Sequence, residues 1–390
     1  MDKDSKSEAA TIAAGTQPLS AHAALERVLK QPLILGLFLP HQQGAWSPST
    51  APRGTSWTFE YNARCAVRAD ELGFDLVFGL AQWLSKGGYG GEMRYREQAI
   101  DPFVATAGLA PLTKNVLLIA TVHILYGWHP LHLAKYGAMI DQMSGGRWGL
   151  NVVTGYKPSE FRMFGLPQIE HDLRYEMAGE FTTIMNRLWS EDEDLTFAGR
   201  WWQTEKAFVA PKPVNRRVVL VNAASSGAGL DYAARYSDII FVTSPAGADP
   251  VAACGALPSH TARIKALARQ AGRDVRILIN PHVICRDTEA EAQARYREIA
   301  DNADPVAVTN FHASVSGGDT ASWKGLQKDS MTVGGNVHLV GTPEQIVEWF
   351  IRLKNAGCDG VQVNFFDYEP ELEYFGQRIL PLMRQAGLRL

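Results

Sequence analysis

Nowhere in these 390 residues is there a block of basic side chains, an apolar run near twenty residues, or a paired-cysteine motif. Each absence excludes something. Without a concentrated Lys/Arg surface, and with a formal net charge of −3, nucleic acid is not an expected partner, because phosphate backbones are held by clustered cations. Without a long apolar segment, no membrane span is expected. The four cysteines, Cys65, Cys254, Cys285 and Cys358, are scattered, which suits structural thiols in a reduced compartment rather than a disulfide framework. The opening MDKDSKSEAA mixes acids with lysines and leads into no apolar core, so a cytoplasmic chain without a secretory signal is expected. HExxH is absent, and His41 stands alone at the end of the first apolar run instead of in an HxH pair. Metal-assisted hydrolysis, which gathers His and carboxylate ligands on a cation, is therefore not expected, and no metal is assigned.

What is present is a globular balance. Hydrophobic residues make up 46% and charged residues 20%, enough to build a sizeable core. Residues 1–30 read as a flexible tail followed by a short helical arm, and 31–390 as one domain. Eight apolar or β-branched runs then alternate with amphipathic stretches: 33–40, 76–80, 116–124, 148–155, 218–225, 239–244, 276–285 and 360–367. Their unbroken apolar character suits parallel strands covered on both faces. "GTPEQIVEWFIRLKNAGCDG" shows the helical punctuation: Thr342 to cap, Pro343 in the first turn, Gly357 at the end. Eight repeats of this rhythm predict a (β/α)8 TIM barrel. A doubly wound sheet is the competitor, but no GxGxxG follows the first run, where a dinucleotide fold would carry one. Segments 81–101, 191–213 and 302–341 exceed normal connection lengths and read as insertions, the second with a small hairpin.

Barrel chemistry collects at the C-terminal ends of strands. There the sequence places Ala81 and Gln82; Thr121 and His123 on one face; Asn151, Thr154 and Gly155; then Ser226 and Gly227, opening a helix; and Asn280 and His282 on one face. "NAASSGAGLDYAARYSD" can hold an anion on free helix N–H groups, with Gly227 allowing close approach, or can be an ordinary helix capped by Ser225. Arg174 and Tyr175 open a further helix. They are suited to a phosphate and a planar ring, or equally to a surface Arg and a core Tyr.

Taken together, "DQMSGGRWGLNVVTGYKPSEF", "EHDLRY", "AASSGAGLDYAARYSD" and "EYFGQRILPLM" resemble the bacterial-luciferase-like flavin monooxygenases. Within them the likeness is to the pyrimidine oxygenase, dimethyl sulfone monooxygenase and alkanesulfonate monooxygenase branch, and it runs from about residue 32 to the end. The resemblance implies a TIM barrel and reduced FMN (FMNH2) delivered by a separate NAD(P)H:flavin reductase. It also implies O2 as co-substrate, a small-molecule substrate and a homo-oligomer, dimer or tetramer. By the same resemblance Asn151 and Glu160 contact the flavin and Arg174 and Tyr175 form its Arg-Tyr pair. Ser226 lies near the phosphate, Ala81 touches the ring, and Thr121 lines the oxygen pocket. Gln82 replaces a family lysine. His282 matches a histidine of the alkanesulfonate enzymes, but Asn280 stands where their sulfonate-binding arginine would be. The resulting expectation is oxygenation and cleavage of a C–N or C–S bond, with Thr121 and Asn151 positioning O2 and His123 or His282 donating a proton or anchoring substrate. The alternatives are a deazaflavin (F420)-dependent oxidoreductase of the same superfamily and a flavin-binding protein without oxygenase activity.

Overall fold

The computed structural model describes residues 22–223, 226–316 and 329–390. Eight parallel strands close into a barrel: β1 (Ile34–Phe38), β2 (Leu76–Gly79), β3 (Leu117–His123), β4 (Trp148–Val153), β5 (Val219–Asn222), β6 (Ile239–Val242), β7 (Arg276–Ile279) and β8 (Gly360–Val363). Their order around the barrel is β1-β8-β7-β6-β5-β4-β3-β2, as the eight-run rhythm predicts. Nearly every strand residue is buried, because side chains of both faces are covered, by helices outside and by one another within. On β4, Trp148, Leu150 and Val152 point outward, and Trp148 fills the notch left by Gly137 on the helix Pro130–Ser144. Gly149 and Asn151 point into the lumen. A Cβ on Gly149 would come within 2.5 Å of Ile119 Cδ1, so the lumen below Asn151 is packed rather than open.

The expected seventh run, 276–285, divides. Its first half is β7, and after Asn280 the chain leaves the barrel to form Pro281–Cys285, which pairs in parallel with Val337–Gly341. Asn280 and His282 therefore do not share a lumen face. The proline at 281 cannot donate to a ladder, which marks the break. The 191–213 insertion contains the expected hairpin, Leu195–Ala198 with Gln203–Ala207. The 302–341 insertion carries the helix Pro305–Ser316 and the strand Val337–Gly341; its residues 317–328 lie outside the described residues, as does the tail 1–21. The helical arm, Ala23–Leu29, lies on the barrel with Leu25 and Val28 in the core. Among the described residues no helix is long and apolar enough to cross a membrane.

The seam beneath β1 is tied by the chain's last residues. Arg389 Nη1 and Nη2 pair with both oxygens of Asp75 and donate to the carbonyls of Leu33 and Gly73, while Asp75 accepts from Leu35 N–H at 2.8 Å. Both side chains are buried. Removing one partner of such a pair leaves an uncompensated charge. Arg389→Met is accordingly expected to cost about 3–5 kcal/mol, read as a lowered midpoint of denaturant unfolding; an unchanged midpoint would remove the seam's structural role.

Candidate active site

One cavity opens at the C-terminal end of the barrel, with about 1230 Å³ of empty space counting its solvent-open mouth. One wall is apolar. Phe38, Phe78 and Phe241 stack edge to face, with ring centroids 4.8 and 4.7 Å apart, and Ala81, Val153 and Val242 extend it. The polar groups face that wall: Gln82, His123, Asn151, Thr154, Lys157, Arg174, Tyr175, Ser226, Asn280 and Asn336. An apolar slot with a few convergent polar groups is the form of a small-molecule site.

The register explains the Asn151–Thr121 pair. β3 and β4 align Thr121 directly with Asn151, and strand alternation sends both inward. Asn151 Nδ2 donates to Thr121 Oγ1 at 3.0 Å. Its Oδ1 is buried with no partner among the described residues. Leaving a buried carbonyl unpaired costs roughly 1–3 kcal/mol, and this atom retains its full capacity to accept an N–H. Thr121 stands behind the asparagine and does not itself line the cavity.

Glu160, expected as a flavin contact, lies behind the cavity wall. It sits on the short helix Pro158–Met163, fully buried, and is not part of the cavity wall. Its carboxylate accepts from Tyr126 OH (2.9 Å), Lys157 Nζ (3.2 Å) and Trp83 N–H (3.3 Å), and His123 Nδ1 lies 3.5 Å away. Burial pushes this carboxyl up, and its neighbours more than reverse that, leaving it below the ordinary carboxylate range. Burial holds His123 below the usual imidazole value against the pull of Glu160. The imidazole is thus neutral near pH 7, and the charge facing Glu160 is Lys157. Lys157 also donates to Tyr89 OH at 3.1 Å. Glu160 therefore holds Lys157, and lies beside His123, two groups that do face the cavity.

At β5 the site has the character of a cradle. The helix Gly227–Tyr236 is capped by Ser226, whose Oγ accepts from Gly229 N–H at 3.1 Å. The capping serine is thus Ser226; Ser225 lies outside the described residues, as does Ala224. The Ser226 hydroxyl hydrogen is left for a ligand. A Cβ on Gly229 would fall 2.7 Å from Tyr175 OH and 2.8 Å from Ser226 Oγ, so the glycine keeps this corner open. Arg174 is buried, not a surface residue, and its Nη1 donates to Gly155 O at 2.8 Å. Gly155 itself has φ +83°, and a Cβ there would strike the Tyr126 ring. Serine, arginine and a helix N-terminus at one corner suit a phosphate.

The histidines divide. His123 lines the cavity, whereas His282 is fully buried outside its wall, paired with Asn364 and 6.4 Å from the His338 ring. Sequence reading missed Trp46, Arg96, Phe311 and Asn336, which all line the cavity. Trp46, Arg96 and Asn336 arrive on connecting segments, where no periodicity marks them, and Phe311 on the helix Pro305–Ser316 of an insertion. Among the described residues no three His, Cys, Asp or Glu side chains gather to hold a metal.

Burial lowers both His41 and His282 to about 3. The unfolded chain takes up protons near the ordinary imidazole value of about 6.5 and the native chain does not, so stability falls as pH drops below that value. The pair is expected to cost about 3 kcal/mol between pH 8 and pH 5.5. His41→Gln is expected to reduce the measured loss by about 1.4 kcal/mol, one histidine's share; chemical denaturation at the two pH values checks it, and an identical loss in the variant would refute it.

The Luciferase-like monooxygenase family matches residues 34–360. The chain is 33% identical over 368 residues to the FMNH(2)-dependent dimethylsulfone monooxygenase of Pseudomonas putida, covering 92% of this chain and 97% of that one. It is 30% identical over 367 residues to the pyrimidine monooxygenase RutA of Allorhizobium ampelinum, covering 91% and 97%. In fold it superposes on the riboflavin lyase RcaE with a TM-score of 0.80 at 22% identity, over 92% of this chain and 93% of that one. A closed barrel, a polar mouth and a match along most of its length agree: this chain belongs to the luciferase-like monooxygenases.

Proposed function

We propose that the chain is the oxygenase half of a two-component system. It takes reduced FMN from a separate NAD(P)H:flavin reductase in the cytoplasm, and uses O2 to oxygenate and cleave a C–N or C–S bond in a small pyrimidine, amide or sulfone-type substrate. The observation that carries this is the orphaned Asn151 Oδ1, held by Thr121 over an apolar slot with an anion cradle at its far corner. Reduced FMN, when bound, supplies the two electrons that activate O2.

The chain's own residues do the rest. Asn151 accepts a hydrogen bond from the ring edge, and Thr121 keeps its amide turned the right way. Gln82 Oε1, buried and without a partner among the described residues, offers a second acceptor. Ala81 and the phenylalanine wall take the ring face. Ser226, Gly227 and the helix they open receive the phosphate, with Arg174 and Tyr175 closing over it. His123, neutral and aimed at the cavity, handles a proton or anchors substrate. Its position beside Asn151 in the wall favours it over His282, which acts at most through Asn364. Trp46, Phe311 and Val315 shield the reacting atoms from water.

A self-associated chain fits the outer face of Pro130–Ser144, where Tyr136, Met139 and Met143 are each about half exposed at helical spacing.

Three experiments test these readings. Anaerobic titration with reduced FMN is expected to show Ser226→Ala and Asn151→Leu binding about tenfold more weakly, the loss of ~1–3 kcal/mol for one hydrogen bond. An oxygen electrode with a flavin reductase present, run against pyrimidines, sulfones and sulfonates, reads turnover. Reduced FMN that neither binds nor consumes substrate-dependent O2 would refute the oxygenase and favour deazaflavin hydride transfer. For association, Met139→Glu is expected to shift the mass measured by light scattering to that of one chain; a wild-type monomer would sink the idea.

A further inference from the structure

Three permanent cations face the cavity, and no carboxylate does so among the described residues. Two of the three are engaged: Lys157 with Glu160 and Tyr89, and Arg174 with Gly155 O at the phosphate corner. Arg96 is different. It is only 3% exposed, and no carboxylate lies within salt-bridge distance of it among the described residues. Its Nε donates to Ala45 O at 3.2 Å, and its Nη2 is buried with no partner among the described residues. The guanidinium carbon lies 4.9 Å from the Trp46 ring centroid, 5.0 Å from Tyr95 and 4.6 Å from Phe311. Its backbone is held at φ +61°, a left-handed conformation unusual for arginine. Gln43 O and Gln82 Nε2 clamp that backbone, at 3.0 and 3.2 Å. The chain thus accepts local strain and a desolvated charge to hold a guanidinium in the cavity wall.

The position matters as much as the charge. Ala45 and Trp46 follow β1, and the phosphate corner follows β5. In the closed order β1-β8-β7-β6-β5-β4-β3-β2 these two strands are four apart in both directions, so Arg96 stands across the mouth from that corner.

We propose that Arg96 is the substrate-anchoring residue of this site, and that the substrate carries an anionic oxyacid group, a carboxylate or a sulfur oxyanion. The planar guanidinium receives two oxygens of such a group, and the Trp46, Tyr95 and Phe311 rings keep water from competing. The anchored end lies at Arg96, leaving the remainder of the molecule over the slot beside Asn151. This assignment rests on the reduced-FMN reading, and its test separates the two.

Calorimetry on the full chain compares charged and neutral probes of similar shape: propionate against propionamide, and methanesulfonate and ethanesulfinate against dimethyl sulfone. Anaerobic titration with reduced FMN runs in parallel. Wild type is expected to bind at least one anion ten or more times tighter than its neutral counterpart. Which pair shows the preference distinguishes carboxylate from sulfur oxyanion. Arg96→Gln is expected to bring that ratio to within about twofold while the reduced-FMN affinity stays unchanged, and Arg96→Lys to keep part of the preference. Should Arg96→Gln fail to fold, the wild-type ratios and the lysine variant still decide. Equal binding of charged and neutral probes by wild type overturns the proposal, as does a preference that survives Arg96→Gln. A tenfold loss of reduced-FMN affinity in Arg96→Gln also overturns it, by giving Arg96 to the cofactor. If reduced FMN does not bind but the Arg96-dependent preference remains, the oxygenase reading falls and the anion site stands.

Discussion

Closing the sheet between Ile34–Phe38 and Gly360–Val363 imposes the condition on which the rest of the molecule depends. A closed parallel sheet has no free edge, and its strands are covered on both sides, so alternate side chains must meet in a narrow lumen. Most of that lumen is filled by apolar packing, with Gly149 making room for Ile119. Toward the C-terminal end the packing gives way to the cavity, and there Asn151 and Thr121 share a level of the ladder. The Asp75–Arg389 pair secures the opposite, closed end, where two segments far apart in the chain must be fastened together.

The mouth is then shaped by buried charge. Glu160 binds together Trp83, Tyr126, Lys157 and His123, which come from three separate connections and one strand end. A carboxylate taken fully out of water is tolerated only with such partners. The same need that stabilises Glu160 fixes Lys157 against the cavity. Arg96 presents the opposite case: a cation enclosed by aromatic rings, with donor capacity unspent.

Much of this was legible in the chain itself. Apolar continuity and helix punctuation located the eight strands, and Thr342 caps its helix as expected, with Gln345 completing a capping box. Asn151 stood out as an amide inside a buried strand, and it does face the cavity. Ser226 was legible as a helix-opening serine, although which of two adjacent serines caps was not. His282 was misplaced because a single apolar run cannot reveal that a proline ends one strand and begins another. Glu160 was legible as a site candidate but its partners were not, since Tyr126 and Trp83 lie 34 and 77 residues away.

The sequence by itself determined the barrel, the position of Asn151 and the phosphate-suited helix, because these rest on periodicity and on neighbours a few residues apart. Tertiary structure alone decided which cations are spent and which are free, which histidine reaches the cavity, and that Trp46, Arg96 and Phe311 meet. Those outcomes depend on burial and on contacts between remote loops. No local pattern encodes the electrostatic cost of a charge until its surroundings are in place.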